Sequence, residues 1–240
     1  MKQRAFGTGK LLRFVEGLLR GDNPEDCMRE LERFPPRRII NPLFALLYST
    51  DESIKWRAVT AFGAVAAGMA KEDPEAARNV MRRLIWNLND ESGGIGWGSA
   101  EAMGETMARD ERMTEEFSCI LHSYISEQGN KLENAMLERG VLWGLGRLAQ
   151  ARPAEVEKWI DDLVPYLSSQ DPVHRGFAAW TLGFLDTSGV VESLKPLLGD
   201  PHRILLYDNG ELTDIGVHEL AARALASLRR PLDGAKIDQP

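Results

Sequence analysis

DPVHRGFAAWTLG, residues 171–183, decides the fold: an Asp able to cap a helix opens it, apolar and small residues fill it, and a glycine stands at its end. Four other segments align on that terminal small residue. They are DESIKWRAVTAFG ending at Gly63, SGGIGWGSAEAMG at Gly104, NAMLERGVLWGLG at Gly146 and DIGVHELAARALA at Ala226. Anchors at 63, 104, 146, 183 and 226 are separated by 41, 42, 37 and 43 residues, a fixed period of the kind produced by repeated two-helix units.

The register within the segments is consistent. Nine positions before each anchor stand Ile54, Ile95, Leu137, His174 and Val217; five before, Ala58, Ser99, Val141, Ala178 and Ala221. Immediately before it stand Phe62, Met103, Leu145, Leu182 and Leu225. These offsets fall on one helical stripe, which predicts the buried face of each segment. A further helix is expected ahead of each, over 41–49, 75–88, 115–127, 155–167 and 190–198, with Pro74, Pro153 and Gly189 punctuating starts. An N-terminal pair over 8–20 and 24–34 brings the count to about six helical hairpins.

One irregularity interrupts the period. Between the last two helices, RILLYDNGELTDI places Asn209-Gly210 between two short apolar runs, which predicts a small β-hairpin near 203–215. Its expected role is to cap the last repeat, with a lid at the mouth of a groove as the functional alternative. Residues 1–230 read as one domain and 231–240 as a disordered tail.

Asp171-Pro172, Arg175, Ala178-Ala179 and Leu182-Gly183 resemble the pattern of HEAT-like repeats, particularly the bacterial type related to phycobilisome lyases. The resemblance covers roughly 41–229, with a departure at Gly93-Gly94 and Gly96, where the Asp-Pro and Arg are missing. It implies an all-α, right-handed α–α superhelix, the HEAT/armadillo-like solenoid, whose second helices line a concave surface. It implies little about function, since such solenoids serve several unrelated roles.

On that concave side the offsets −7, −3 and +1 bring together Trp56, Trp97, Glu101, Glu105, Arg139, Trp143, Arg147, Trp180 and Phe184. Trp56 is expected beside Trp97, Trp143 beside Trp180, Arg139 over Trp97 in a cation–π contact, and Glu105 beside Arg147. An exposed aromatic strip with a few fixed charges is what a ligand-binding groove needs. Gly96, Gly98, Gly140, Gly144 and Gly176 lie in the same segments, where glycine weakens a helix unless something approaches closely. Glu101 and Glu105 read as solvated acidic surface.

Composition narrows the function. A hydrophobic fraction of 43% supports a continuous core, and 29 basic against 36 acidic residues give a net charge of −7, which argues against a general nucleic-acid binder. Cys27 and Cys119 have no metal-ligand partners nearby and read as reduced core thiols. No apolar run is long enough to span a bilayer, so a soluble, cytoplasmic chain is expected. The four histidines stand at non-equivalent offsets, and no nucleophile–base set or metal site is defensible; the solitary His218-Glu219 cannot hold two metals. A non-enzymatic scaffold for a protein or peptide, without cofactor or metal, is the leading expectation. The alternatives are a HEAT-like DNA glycosylase using Trp143, Trp180 and Glu101, and a lyase-type or chaperone-like accessory to a cofactor enzyme.

Overall fold

The computed structural model of the chain describes residues 7–21, 23–90, 96–186 and 188–228. Ile95, the start of the Gly93-Gly94 departure and the tail after 230 therefore lie outside the described residues.

Helices alternate in two rows. The chain enters through α1 (Thr8–Leu19) and α2 (Pro24–Leu31). The outer row is then α3 (Pro36–Leu46), α5 (Pro74–Leu88), α7 (Glu111–Ser123) and the pair α9 (Pro153–Glu157) and α10 (Ile160–Leu163). The inner row is α4 (Glu52–Glu72), α6 (Ser99–Arg109), α8 (Ala135–Ala151), α11 (Pro172–Leu182) and α13 (Val217–Leu228). A short α12 (Val191–Leu194) stands in the outer row before α13. Successive inner helices pack side by side, α4 on α6, α6 on α8, α8 on α11 and α11 on α13, which is the solenoid that the period predicts.

Caps set the helix starts. Asp51 accepts from the Ser53 and Ile54 amides at 3.0 and 3.3 Å, Asn134 from Met136 at 2.9 Å, and Asp171 from Val173 at 2.9 Å. Each satisfies amides that have no partner inside their own helix. The outer helices are less regular towards the C-terminus. Pro165 and Pro196 lack the N–H a continuing α-helix would use, and the chain runs through 3-10 turns at Val164–Ser168 and Lys195–Gly199. The first of the repeat helices also starts earlier than 41, at Pro36, and carries Pro42 inside it.

The predicted stripe is the core. Ile54, Leu137, Val141, Phe62, Met103, Leu145, Leu182 and Val217 are all buried and belong to one apolar cluster running from Leu11 to Leu225. His174 is buried too; its ring nitrogens lie 3.2 Å from the Ser169 hydroxyl and 3.1 Å from the Ala135 carbonyl. Cys27 is buried, and desolvation raises its thiol pKa although Arg57 opposes this; Cys119 is exposed, so the expectation of two core thiols holds for one. At the closest crossing, a Cβ on Gly104 would overlap the backbone of Gly144, which brings α6 and α8 together as only two facing glycines allow.

A two-stranded antiparallel sheet, β1 (Arg203–Asp208) and β2 (Glu211–Gly216), follows the last 3-10 turn. It pairs Arg203 with Gly216 through Asp208 with Glu211. Asn209 and Gly210 have φ of 49° and 86°, the positive pair that a type I′ hairpin turn requires. Among the described residues, no helix is long and apolar enough to cross a membrane.

Candidate functional site

The β-hairpin does not merely cap the last repeat. It leaves α11 and α13 and lies along the inner row as far as α4. Ile204 occupies the space left by Gly176, where a Cβ would collide with it. Further along, Tyr207 stacks on Trp56 with ring centroids 5.2 Å apart and planes 13° from parallel. Its carbonyl accepts a 2.8 Å hydrogen bond from the Trp143 indole N–H, and its hydroxyl lies 2.9 Å from that of Thr60. The next residue, Asp208, accepts from Gln150 at 2.9 Å. Desolvation raises the Tyr207 pKa, with Thr60, Arg57 and Arg109 opposing and Glu105 reinforcing it.

This placement changes the aromatic strip. Trp56, Trp143 and Trp180 are 5%, 1% and 7% exposed, so these rings form a buried platform instead of an open strip. Trp143 and Trp180 are neighbours, 6.3 Å apart and nearly parallel, and Phe184 meets Trp180 edge-on at 5.5 Å. Trp56 packs on Trp143 at 4.7 Å instead of on Trp97, so the two rings meet across α6. Trp97 lies just before α6 and remains 46% exposed. Arg139 turns to the Asp171 carboxylate at 2.7 Å instead of over Trp97, since a cap carboxylate attracts a guanidinium more strongly than a ring face does.

The two glutamates are buried, not solvated. Glu105 accepts from Arg109 and from Arg147, each at 2.6 Å, so the expected Glu105–Arg147 contact is present and doubled. Glu101 sits 3.7 Å from Lys55 and fills the space above Gly140, where a Cβ would fall 2.6 Å from its carboxylate. Trp143, Trp180 and Glu101, the residues of the glycosylase-like alternative, are all buried in this arrangement. His218 and Glu219 serve the turn into α13. The His218 ring is 3.2 Å from the Asp200 carbonyl, and Glu219 accepts from the Gly216 amide at 3.0 Å, an N-terminal cap.

Several open spaces remain, and two of them carry polar side chains of the inner row. One is a polar cleft of about 290 Å³ between the hairpin tip and the inner row, bounded by Glu105, Arg109, Arg147, Gln150 and Asp208. The other, about 740 Å³, opens at the start of α8 beside Glu138, Asp171, His174 and Tyr166. There Tyr166 donates to Glu138 at 2.8 Å, and burial followed by that carboxylate pushes its phenol pKa strongly up. Among the described residues, no group of three or more His, Cys, Asp or Glu side chains is placed to hold a metal ion.

Tyr207, Asp208 and Gln150 are the site residues that repeat reasoning does not select, whereas Thr60 stands three before its anchor, at the same offset as Trp143. A sign of Tyr207's role does exist locally. Strict alternation in β1 would bury Ile204 and Leu206 alone, yet Leu206 and Tyr207 are both buried, so the strand tip is enclosed on two sides.

Comparison with known proteins agrees with this architecture. Residues 135–185 match the family model described as HEAT-like repeat. A protein of Archaeoglobus fulgidus, described as uncharacterized, is 32% identical over 133 residues, which is 53% of this chain and 63% of that protein. The chain thus spans under two thirds of that relative's length. Among solved structures, a designed armadillo repeat protein in complex with the peptide (KR)4 superposes with a TM-score of 0.56 at 16% identity, covering 90% of this chain and 91% of that one. A computationally designed armadillo repeat protein for modular peptide recognition gives a TM-score of 0.51 at 17% identity, covering 90% and 91%. At such identities the likeness is one of fold.

Proposed function

We propose that this chain, a HEAT-like repeat protein, is a binding scaffold that takes an extended polypeptide segment on its concave face. The observation that carries this reading is the groove's own occupant. The inner row seats a strand by stacking an aromatic side chain on Trp56 and taking a main-chain carbonyl with the Trp143 indole. Those are the two elements of peptide recognition in a groove: a main-chain hydrogen bond that any sequence can make, and a pocket that selects a side chain. The solved neighbour that holds a (KR)4 peptide supports the same use of a related architecture, though with basic side chains.

The groove of this chain is built differently. Its specificity lies in buried aromatic rings flanked by ion pairs, Glu105 with Arg109 and Arg147 at one side and Glu101 with Lys55 at the other. Trp97 and Met136, 46% and 52% exposed where α6 and α8 begin, offer apolar surface at the groove's edge. Panning a random peptide library against the full chain tests the proposal, with bound peptides mapped by amide hydrogen exchange. Protection of amides in α4, α6 and α8 is the expected outcome. Protection confined to the outer row, or no selected binder, would contradict it.

A further inference from the structure

The hairpin tip carries more chemistry than packing calls for. Ile204, Leu206 and Ile215 bury the apolar side of the strands, and those contacts would seat any apolar hairpin. The tip adds a stacked ring, a carbonyl held by an indole, a hydroxyl pair and an acid held by an amide. The cleft beside that acid also holds two guanidiniums. Arg109 and Arg147 border the cleft beside Asp208, and Glu105 is the one acid that faces them there.

The hairpin's position also suits release. A two-stranded hairpin is marginal in water by itself, so its shape depends on being seated. Its outer side is uncovered: Leu205 is 50% exposed, and Glu211, Thr213 and Asp214 of β2 face solvent. The polar cleft of about 290 Å³ lies directly beside the tip, where a competing segment could begin to enter.

We infer that Tyr207-Asp208 is an internal stand-in for the partner's recognition element. The partner is an extended polypeptide segment in which an aromatic residue is followed by an acidic one, and its binding exchanges the hairpin for that segment. This rests on the scaffold reading above and adds the partner's chemistry to it. The ring matches the Trp56–Trp143 platform, and the acid matches the Gln150 amide, in a cleft that Arg109 and Arg147 border while each is bonded to Glu105. While the hairpin is seated, the apparent affinity for an outside segment is lowered by the fraction of molecules whose groove is free. Weakening the hairpin's own hold therefore raises affinity for an outside ligand.

The test uses a labelled linear peptide with the sequence of residues 203–216, followed by fluorescence anisotropy on the full chain. Tyr207→Ala protein is expected to bind it at least about tenfold more tightly than wild type, since that substitution empties the stacking site on Trp56 and leaves the inner row unaltered. Asp208→Ala protein should shift in the same direction by less. A peptide carrying Tyr207→Ala should bind neither protein, and binding should speed amide exchange across 204–214 in the wild-type chain. Equal affinity for wild type and a Tyr207→Ala protein of unchanged helical circular dichroism overturns the inference, as does no binding to that variant. If Tyr207→Ala loses helical signal, Asp208→Ala decides by the same criterion. Library peptides that protect α4, α6 and α8 without speeding hairpin exchange would overturn this inference and leave the scaffold reading standing. An empty library selection would remove both.

Discussion

Trp97 and Trp143 belong to adjacent units of the same inner row, yet one is 46% exposed and the other 1%. Trp143 stands inside α8, whereas Trp97 precedes α6, which begins at Ser99 after the left-handed Gly98, so a helical offset does not fix its direction. The β-hairpin separates them further, because it runs along the inner row and covers Trp143 but leaves Trp97 at the edge. Within a row, neighbours follow from the period. Across the groove, burial is decided by contacts such as Thr60 with Tyr207, which are 147 residues apart in sequence.

The comparison predicts a wide spread of mutational effects. Trp143→Ala is the most damaging, costing about 3–5 kcal/mol in chemical denaturation, because a large cavity opens under the hairpin and the Tyr207 carbonyl loses its donor. A loss below about 1 kcal/mol would mean that the ring is a surface contact.

Next comes the hinge from which the hairpin departs. Asp200 accepts from Arg175 at 2.6 Å and from the His202 amide at 2.9 Å. Desolvation raises its pKa, but Arg175 and His202 outweigh this and hold the carboxyl at about 2. An unfolded Asp titrates near about 3.9, so the folded value is depressed and its contribution is fully present above about pH 4. That contribution is lost as pH falls through the folded value of about 2. Asp200→Asn should cost about 3 kcal/mol at neutral pH and flatten the acid limb of the stability profile. An unchanged acid limb would show that the hinge pair contributes nothing.

At the small end, Trp97→Ala should change stability by less than about 0.5 kcal/mol, as exposed substitutions usually do. A larger loss would mean that the edge of the groove is covered after all.

How far the sequence led depends on which contacts were local. The anchors from Gly63 to Ala226, the caps Asp51, Asn134 and Asp171, and the stripe through Phe62, Leu145 and Leu182 all depend on residues within one helix or its neighbour. Helical periodicity reports such residues directly. The Asn209-Gly210 turn was legible for the same reason, because positive φ at two adjacent residues is a local demand. The site was legible in part. The pairing of Trp143 with Trp180 and of Glu105 with Arg147 followed from equal offsets in successive repeats. The burial of Trp56, Glu101 and Glu105 did not, because it depends on how strongly the row bends and on where an inserted segment comes to rest. Arg139 shows a third case: its partner Asp171 belongs to the next repeat's cap, and a charged cap outcompetes a ring.

The central claim is that the hairpin is seated in the groove with Tyr207 packed against both Trp56 and Trp143. Nuclear Overhauser contacts of the Tyr207 ring protons in the full chain test it most directly. Strong cross-peaks to both the Trp56 and Trp143 indoles are the predicted result. Cross-peaks from the Tyr207 ring only to residues of its own hairpin, with the Trp143 indole N–H exchanging freely with water, would contradict it.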